Sequence, residues 1–205
     1  MGDTDRGPLR NRPSTALISR HHNNRHARAA TTGHGQGGRR DAYTILLFDR
    51  DVSDCLVHDF SHTPDQLLDA VLQHMPRFGT NFSSAIQRAE SKMEQFWSGD
   101  RLPVLVFLSD GECGIPDEVV ESICQKAINL GHPLSFHSVA FGTYNSTLRG
   151  MARIALNMQN QAQANMQNRA PKSTYTHALS TVQLAGTFLQ IEESLRKPRG
   201  SLLQV

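Results

Sequence analysis

The sequence predicts a three-layer α/β domain in which a mostly parallel β-sheet carries helices on both faces. Two observations carry the prediction. Short, near-continuous apolar runs alternate with stretches whose apolar residues recur at helical spacing, from residue 41 almost to the C-terminus. Capping and turn signals separate the two kinds of segment, and right-handed strand–helix–strand connections then place helices on both sides of the sheet. No internal repeat is visible, which argues against solenoid and propeller architectures.

The elements follow in order. Tyr43 to Phe48 is an apolar run suited to a strand buried on both faces, and after the polar turn Asp49 to Ser53 a second strand, Cys55 to Phe60, pairs back as a hairpin. Thr63-Pro64-Asp65-Gln66 sets a capping threonine, a first-turn proline and a capping-box glutamine before Leu67, Leu68, Val71 and Leu72. Beyond Met75-Pro76, a helical face is written by Phe82, Ala85, Ile86, Ala89, Met93, Phe96 and Trp97, and Gly99 ends it. Pro103 to Leu108 predicts a central parallel strand ending at Ser109-Asp110-Gly111. Pro116, Asp117 and Glu118 open a helix with Val119, Val120, Ile123, Ala127 and Ile128 inward and Gly131 past its end. Leu134 to Phe141 is the next strand. Leu148, Met151, Ile154, Ala155 and Met158 form one more helical face, running into Asn157 to Asn168, which is read as a flexible loop because it is rich in Asn and Gln. Ser180 and Gln183 repeat the capping-box spacing before a closing helix with Leu184, Ala185, Phe188 and Leu195.

Composition divides the chain. Residues 1–40 hold eight arginines, no lysine and two acids, Asp3 and Asp5, hence plus six; the whole chain carries plus two, so residues 41–205 carry minus four. With His21, His22, His26, His34 and few long apolar side chains, the arm buries too little surface to offset its ordering entropy and is read as disordered. Arginines at this density attract phosphates, but no interleaved aromatics support base stacking, so nucleic acid is not an expected partner beyond nonspecific contact through the arm. Residues 198–205 form a short tail. No stretch has the length of a membrane span, and no apolar segment follows Met1 as a secretory signal requires, so the expectation is an intracellular, cytoplasmic protein that does not engage a membrane. Cys55, Cys113 and Cys124, an odd set without CxxC spacing, read as free thiols.

In an open α/β sheet, ligands bind beyond the carboxyl ends of the strands. Two segments stand there: Phe78-Gly79-Thr80-Asn81-Phe82-Ser83, leading into a helix, and Phe107-Leu108-Ser109-Asp110-Gly111-Glu112, following the central strand. In this order and spacing they resemble the von Willebrand factor A domain. The resemblance covers the body from Asp41 to Leu195 and sets a partial domain of that type at residues 41–197. It matches Tyr43 to Asp49 with the family's second strand, Leu134 to Gly142 with its fifth, and Tyr175 with Ala178 with its last. It implies a protein-interaction module rather than an enzyme, and a metal-ion-dependent adhesion site in which Thr80 offers its hydroxyl and Asp110 its carboxylate to magnesium. The family's first strand and its Asp-x-Ser-x-Ser loop have no counterpart: Ser14 to Ser19, the one strand-like stretch upstream, lacks the aspartate and the serine spacing. The implied metal site is therefore incomplete and magnesium binding weak or absent. The missing strand would lie mid-sheet, between Tyr43 to Phe48 and Pro103 to Leu108, leaving backbone edges unpaired.

Taken singly, Thr80 reads as a helix cap and Asp110 as a turn residue. Asn81 and Asn145 head glycosylation sequons that occur by chance in a chain outside the secretory route, and His132 and His137 read as structural. A rival enzyme reading starts at Asp49-Arg50-Asp51, which resembles the opening motif of haloacid-dehalogenase-type phosphatases, with Asp49 as nucleophile and Asp51 as acid/base. No aspartate follows Asp117 to hold the magnesium that chemistry needs, so Asp49, Asp51 and Asp54 are taken as a solvated hairpin turn.

Overall fold

The computed structural model describes residues 41–75, 79–163 and 170–196, together with the backbone of 14–22. The elements run β1 (Ser14–His22), β2 (Ala42–Phe48), β3 (Val52–Asp59), α1 (Pro64–Leu72), α2 (Phe82–Gln95), β4 (Arg101–Ser109), α3 (Asp117–Asn129), β5 (Ser135–Phe141), α4 (Ser146–Gln163), β6 (Thr174–Ala178) and α5 (Thr181–Arg196). The strands form one six-stranded sheet in the order β3-β2-β1-β4-β5-β6.

The antiparallel pair β2–β3 and the parallel trio β4-β5-β6 are joined by β1, which runs antiparallel to both β2 and β4. This corrects two expectations. Nine residues of the arm taken as disordered form a central strand, and the slot between β2 and β4 is filled rather than left with bare edges. The physical reason is backbone pairing. A slot flanked by two buried strands offers hydrogen-bond partners on both sides, so an extended segment satisfies its own main chain there whatever its average composition. The rest of the arm and the tail 198–205 lie outside the described residues. The sheet is also mixed rather than mostly parallel: β2, β4, β5 and β6 share one direction, while β1 and β3 run against them.

Alternation along β4 splits the core between the two faces. Leu105 and Phe107 join Leu46, Phe48 and Phe136 under α2, α3 and α4, which contribute Phe82, Ile86, Val120, Ile123, Leu148 and Met151. Val104 and Val106 join Val139 on the other face beneath Ile191 and Leu195 of α5. Helices thus cover both faces. At the centre of the larger core, Phe107 sits with Phe48 (ring centroids 4.9 Å apart), Phe82 (5.1 Å) and Phe136 (6.5 Å). The β2–β3 pairing shifts register around Tyr43 to Leu46, where His58 takes a positive φ of 51° and its N–H donates to Thr44 Oγ1 at 3.1 Å, a bulge that bends the edge strand.

The capping box at Thr63 forms as the spacing predicts: Thr63 Oγ1 accepts from the Gln66 N–H, and Gln66 Oε1 accepts from the Thr63 N–H at 2.8 Å. α1 still buries none of its residues. Helix α4 corrects another expectation, because it continues to Gln163 through residues read as a loop. Gln159 is buried there with both amide atoms satisfied, Nε2 donating to Pro171 O at 2.6 Å and Oε1 accepting from the Ser173 N–H at 2.9 Å. A polar side chain whose hydrogen bonds are made inside the fold does not break a helix. Residues 164–169 lie outside the described residues. No described helix is long and apolar enough to cross a membrane.

Candidate functional site

Because β2, β4, β5 and β6 share a direction, their carboxyl ends meet on one rim. Four segments form it: the turn after β2, the lead into α2, the loop after β4, and the lead into α4.

Gly79 turns the chain into α2 with a φ of +101°, a left-handed conformation that glycine adopts without strain, and a Cβ added there would stand 3.4 Å from Arg50 Cβ in the β2–β3 turn. Asn81 caps α2, its Oδ1 accepting the Ser84 N–H at 3.0 Å. Thr80, between them, is therefore free of the capping role expected of it alone. Its Oγ1 lies against the loop after β4, so close that a Cβ added to Gly111 would stand 2.8 Å from it. Glycine at 111 is what lets the two segments meet.

The loop after β4 is tied on both sides. The Gly111 N–H donates to Ser109 Oγ at 3.1 Å, and Gly111 O accepts from Asn145 Nδ2 at 2.7 Å. Asn145 is buried, caps α4 by accepting the Leu148 N–H on its Oδ1 at 2.9 Å, and donates its own N–H to Tyr175 Oη at 3.3 Å. With Nδ2 engaged and the residue 3% exposed, this sequon asparagine is in no position to accept a glycan. Tyr144, half exposed, stacks edge-on to Tyr175 and His177 and accepts from Arg149 Nη1 at 3.1 Å, extending the rim towards β6.

Thr80 and the Asp110 loop are thus neighbours, and Asp110 itself is exposed at the strand end. Asp49 and Asp51 form a tight turn: Asp49 Oδ1 accepts the Asp51 N–H at 2.9 Å, and Asp51 O accepts the Asp49 N–H at 2.9 Å. Asp54, taken with them as part of a solvated turn, instead stands within β3. It is held by Arg88, at 2.8 and 2.5 Å, and Lys92, at 2.8 Å, and the Arg88 guanidinium keeps its carboxyl below the ordinary range. Sequence reasoning missed Asn145 and Tyr175. An asparagine just before Ser146 and the apolar face beginning at Leu148 carried a capping signal that the sequon pattern overshadowed.

Comparison with protein-family models, with curated proteins and with solved structures finds no match to the chain. The site's chemistry rests on its own residues. Among the described residues, no group of three or more His, Cys, Asp or Glu side chains could hold a metal ion. One hydroxyl and one carboxylate fall short of the six oxygen ligands magnesium prefers, so the residues present do not by themselves fit a tightly bound cation. The three cysteines are free thiols, and burial pushes the Cys124 thiol up to about 12, far from a reactive thiolate. His137 is buried between Ser135 Oγ (3.0 Å) and Thr174 Oγ1 (2.8 Å), and burial brings its pKa down to about 4. It is a neutral strut between β5 and β6. His132 holds Gly99 O through Nε2 at 2.7 Å.

Proposed function

We propose that this chain is a protein-interaction module of the von Willebrand factor A type, without enzymatic activity, that engages its partner at the carboxyl rim around Thr80 and Asp110. The observation that carries this reading is the contact of the Thr80 hydroxyl with the loop bearing Asp110, across segments about thirty residues apart in the chain. Three features support it: the sheet order, which is that of doubly wound α/β folds; the position of the rim beyond the strand ends; and the helices on both faces. The polarity of β1 departs from the type, since the family's central strand would feed its own loop into this rim. Thr80 and Asp110 would be the protein's only ligands to a magnesium ion there, with an acid of the partner needed to complete it, so binding of the ion by the chain alone is weak or absent.

The test is affinity capture with the purified full chain, with and without magnesium, alongside Thr80→Val and Asp110→Ala. Proteins retained by the wild type and lost with both variants support the rim as the binding surface. An identical set captured by wild type and Asp110→Ala contradicts it. Phosphatase activity that disappears on Asp49→Asn would replace this reading with the haloacid-dehalogenase one.

A further inference from the structure

The slot between β2 and β4 is a poor match for the strand that fills it. Its walls are buried nearly throughout: Ala42 and Ile45–Phe48 on one side, Leu102 and Val104–Phe107 on the other. In β1 only Ala16, Leu17 and Ile18 are apolar, placed opposite Leu46, Ile45 and Thr44 in β2 and Phe107, Val106 and Leu105 in β4. Beyond them the ladder degrades. Pairing with β2 stops at Arg20, and the residue opposite Arg20 in β4 is Pro103, which has no N–H to give. His21 and His22 are paired on the β4 side alone, and His22 stands opposite Arg101. Arg101 is itself misfitted: its Nε is buried without a hydrogen-bond partner among the described residues, although its guanidinium lies over the Phe60 ring, 4.7 Å from the centroid. A buried guanidinium nitrogen left unsatisfied costs free energy that an incoming carboxylate would recover.

Direction sets no barrier to replacing β1. Because β2 and β4 run parallel to each other, any strand between them pairs either parallel with both or antiparallel with both, and each arrangement completes the backbone ladder. Residues 23–40, between β1 and β2 in the sequence, include four glycines and no apolar side chain larger than alanine.

We propose that the β2–β4 slot is a strand-exchange site in which β1 is a replaceable occupant, and that it takes an extended segment of a partner protein, apolar through its centre and carrying an aspartate or glutamate at the position opposite Arg101. The slot meets the rim at one end, where Ser14 pairs with Phe48 and Thr15 with Leu108, while Arg101 lies at the other end, and the proposal does not depend on the Thr80 contact. Recognition is by β-augmentation in the interior of a sheet: main-chain pairing supplies affinity, and the Arg101–carboxylate pair supplies register.

The experiment uses the full-length chain and two fluorescently labelled nine-residue peptides followed by anisotropy. One has the sequence of residues 14–22; the other carries Arg20→Val and His22→Glu. The second peptide is expected to bind at least tenfold more tightly than the first, and an Arg101→Met chain is expected to abolish most of that difference. Introducing Arg20→Val and His22→Glu into the chain's own β1 should weaken peptide binding about tenfold by strengthening the resident competitor. Equal binding of the two peptides, or binding indifferent to Arg101 and to β1, overturns the proposal, as does a dimer formed by traded β1 segments in place of peptide uptake. Hydrogen exchange on the unmodified chain gives a check that needs no variant to fold. Amides of β1 should exchange through an opening that leaves β4–β5 pairing intact, and exchange of β1 together with β5 only on global unfolding contradicts a replaceable strand.

Discussion

Between about pH 6.5 and 4, acidification should destabilise this protein chiefly through His137. Its imidazole is buried in the middle of β5, between hydroxyls of Ser135 and Thr174, and burial lowers its pKa from 6.5 to about 4. In the unfolded chain the same group titrates near its ordinary value. Between these two values the unfolded state binds a proton that the folded state refuses, so stability is complete above about pH 6.5 and is lost as the pH falls towards 4. The slope is about 1.4 kcal/mol per pH unit for one proton, and across this window the loss reaches about 3 kcal/mol, a large share of a small domain's stability. Urea unfolding followed by the fluorescence of Trp97, at several pH values from 7.5 to 4, measures it. His137→Asn cannot titrate here and has a lower starting stability, so its curve against pH should be flatter than wild type by most of that amount. Parallel curves for the two proteins would refute the assignment of a neutral buried imidazole.

Other perturbations give simpler expectations. Phe107→Ala, which removes the ring in contact with Phe48, Phe82 and Phe136, should cost about 3–5 kcal/mol in chemical denaturation, while leaving the far-UV circular dichroism of the remaining folded protein unchanged. Gly79→Ala forces a side chain onto a φ of +101° and against Arg50, and should cost about 1–2 kcal/mol, read as a lowered Tm in calorimetry.

Most of the body was legible because its signals are local. The apolar runs at Tyr43, Pro103 and Leu134 gave strands, the Thr63–Gln66 box gave a helix start, and Gly131, with its φ of +104°, gave a helix end. What stayed hidden depends on partners distant in sequence. β1 carries three apolar residues in an arginine-rich arm, and nothing within Ser14 to His22 reveals that two buried strands wait on either side of it. The last turns of α4 were lost because Gln159 looks like a solvated residue until Pro171 and Ser173 are seen to satisfy it. At the rim, Thr80 and Asp110 could be paired by motif order, but the tether through Asn145 and Tyr175 comes from a loop and a strand that only the fold brings beside them.

The meeting of the Thr80 hydroxyl with the loop after β4 can be measured without knowing any partner. A double-mutant cycle on Gly111→Ala and Thr80→Ala reads it through unfolding free energies. Gly111→Ala in the wild-type chain places a Cβ 2.8 Å from Thr80 Oγ1 and is expected to cost about 1–2 kcal/mol. With Thr80→Ala already present the obstruction is gone, and the same change should cost about 1 kcal/mol less. Costs that simply add would mean that the two segments do not touch, and the rim would lose its claim to be one site.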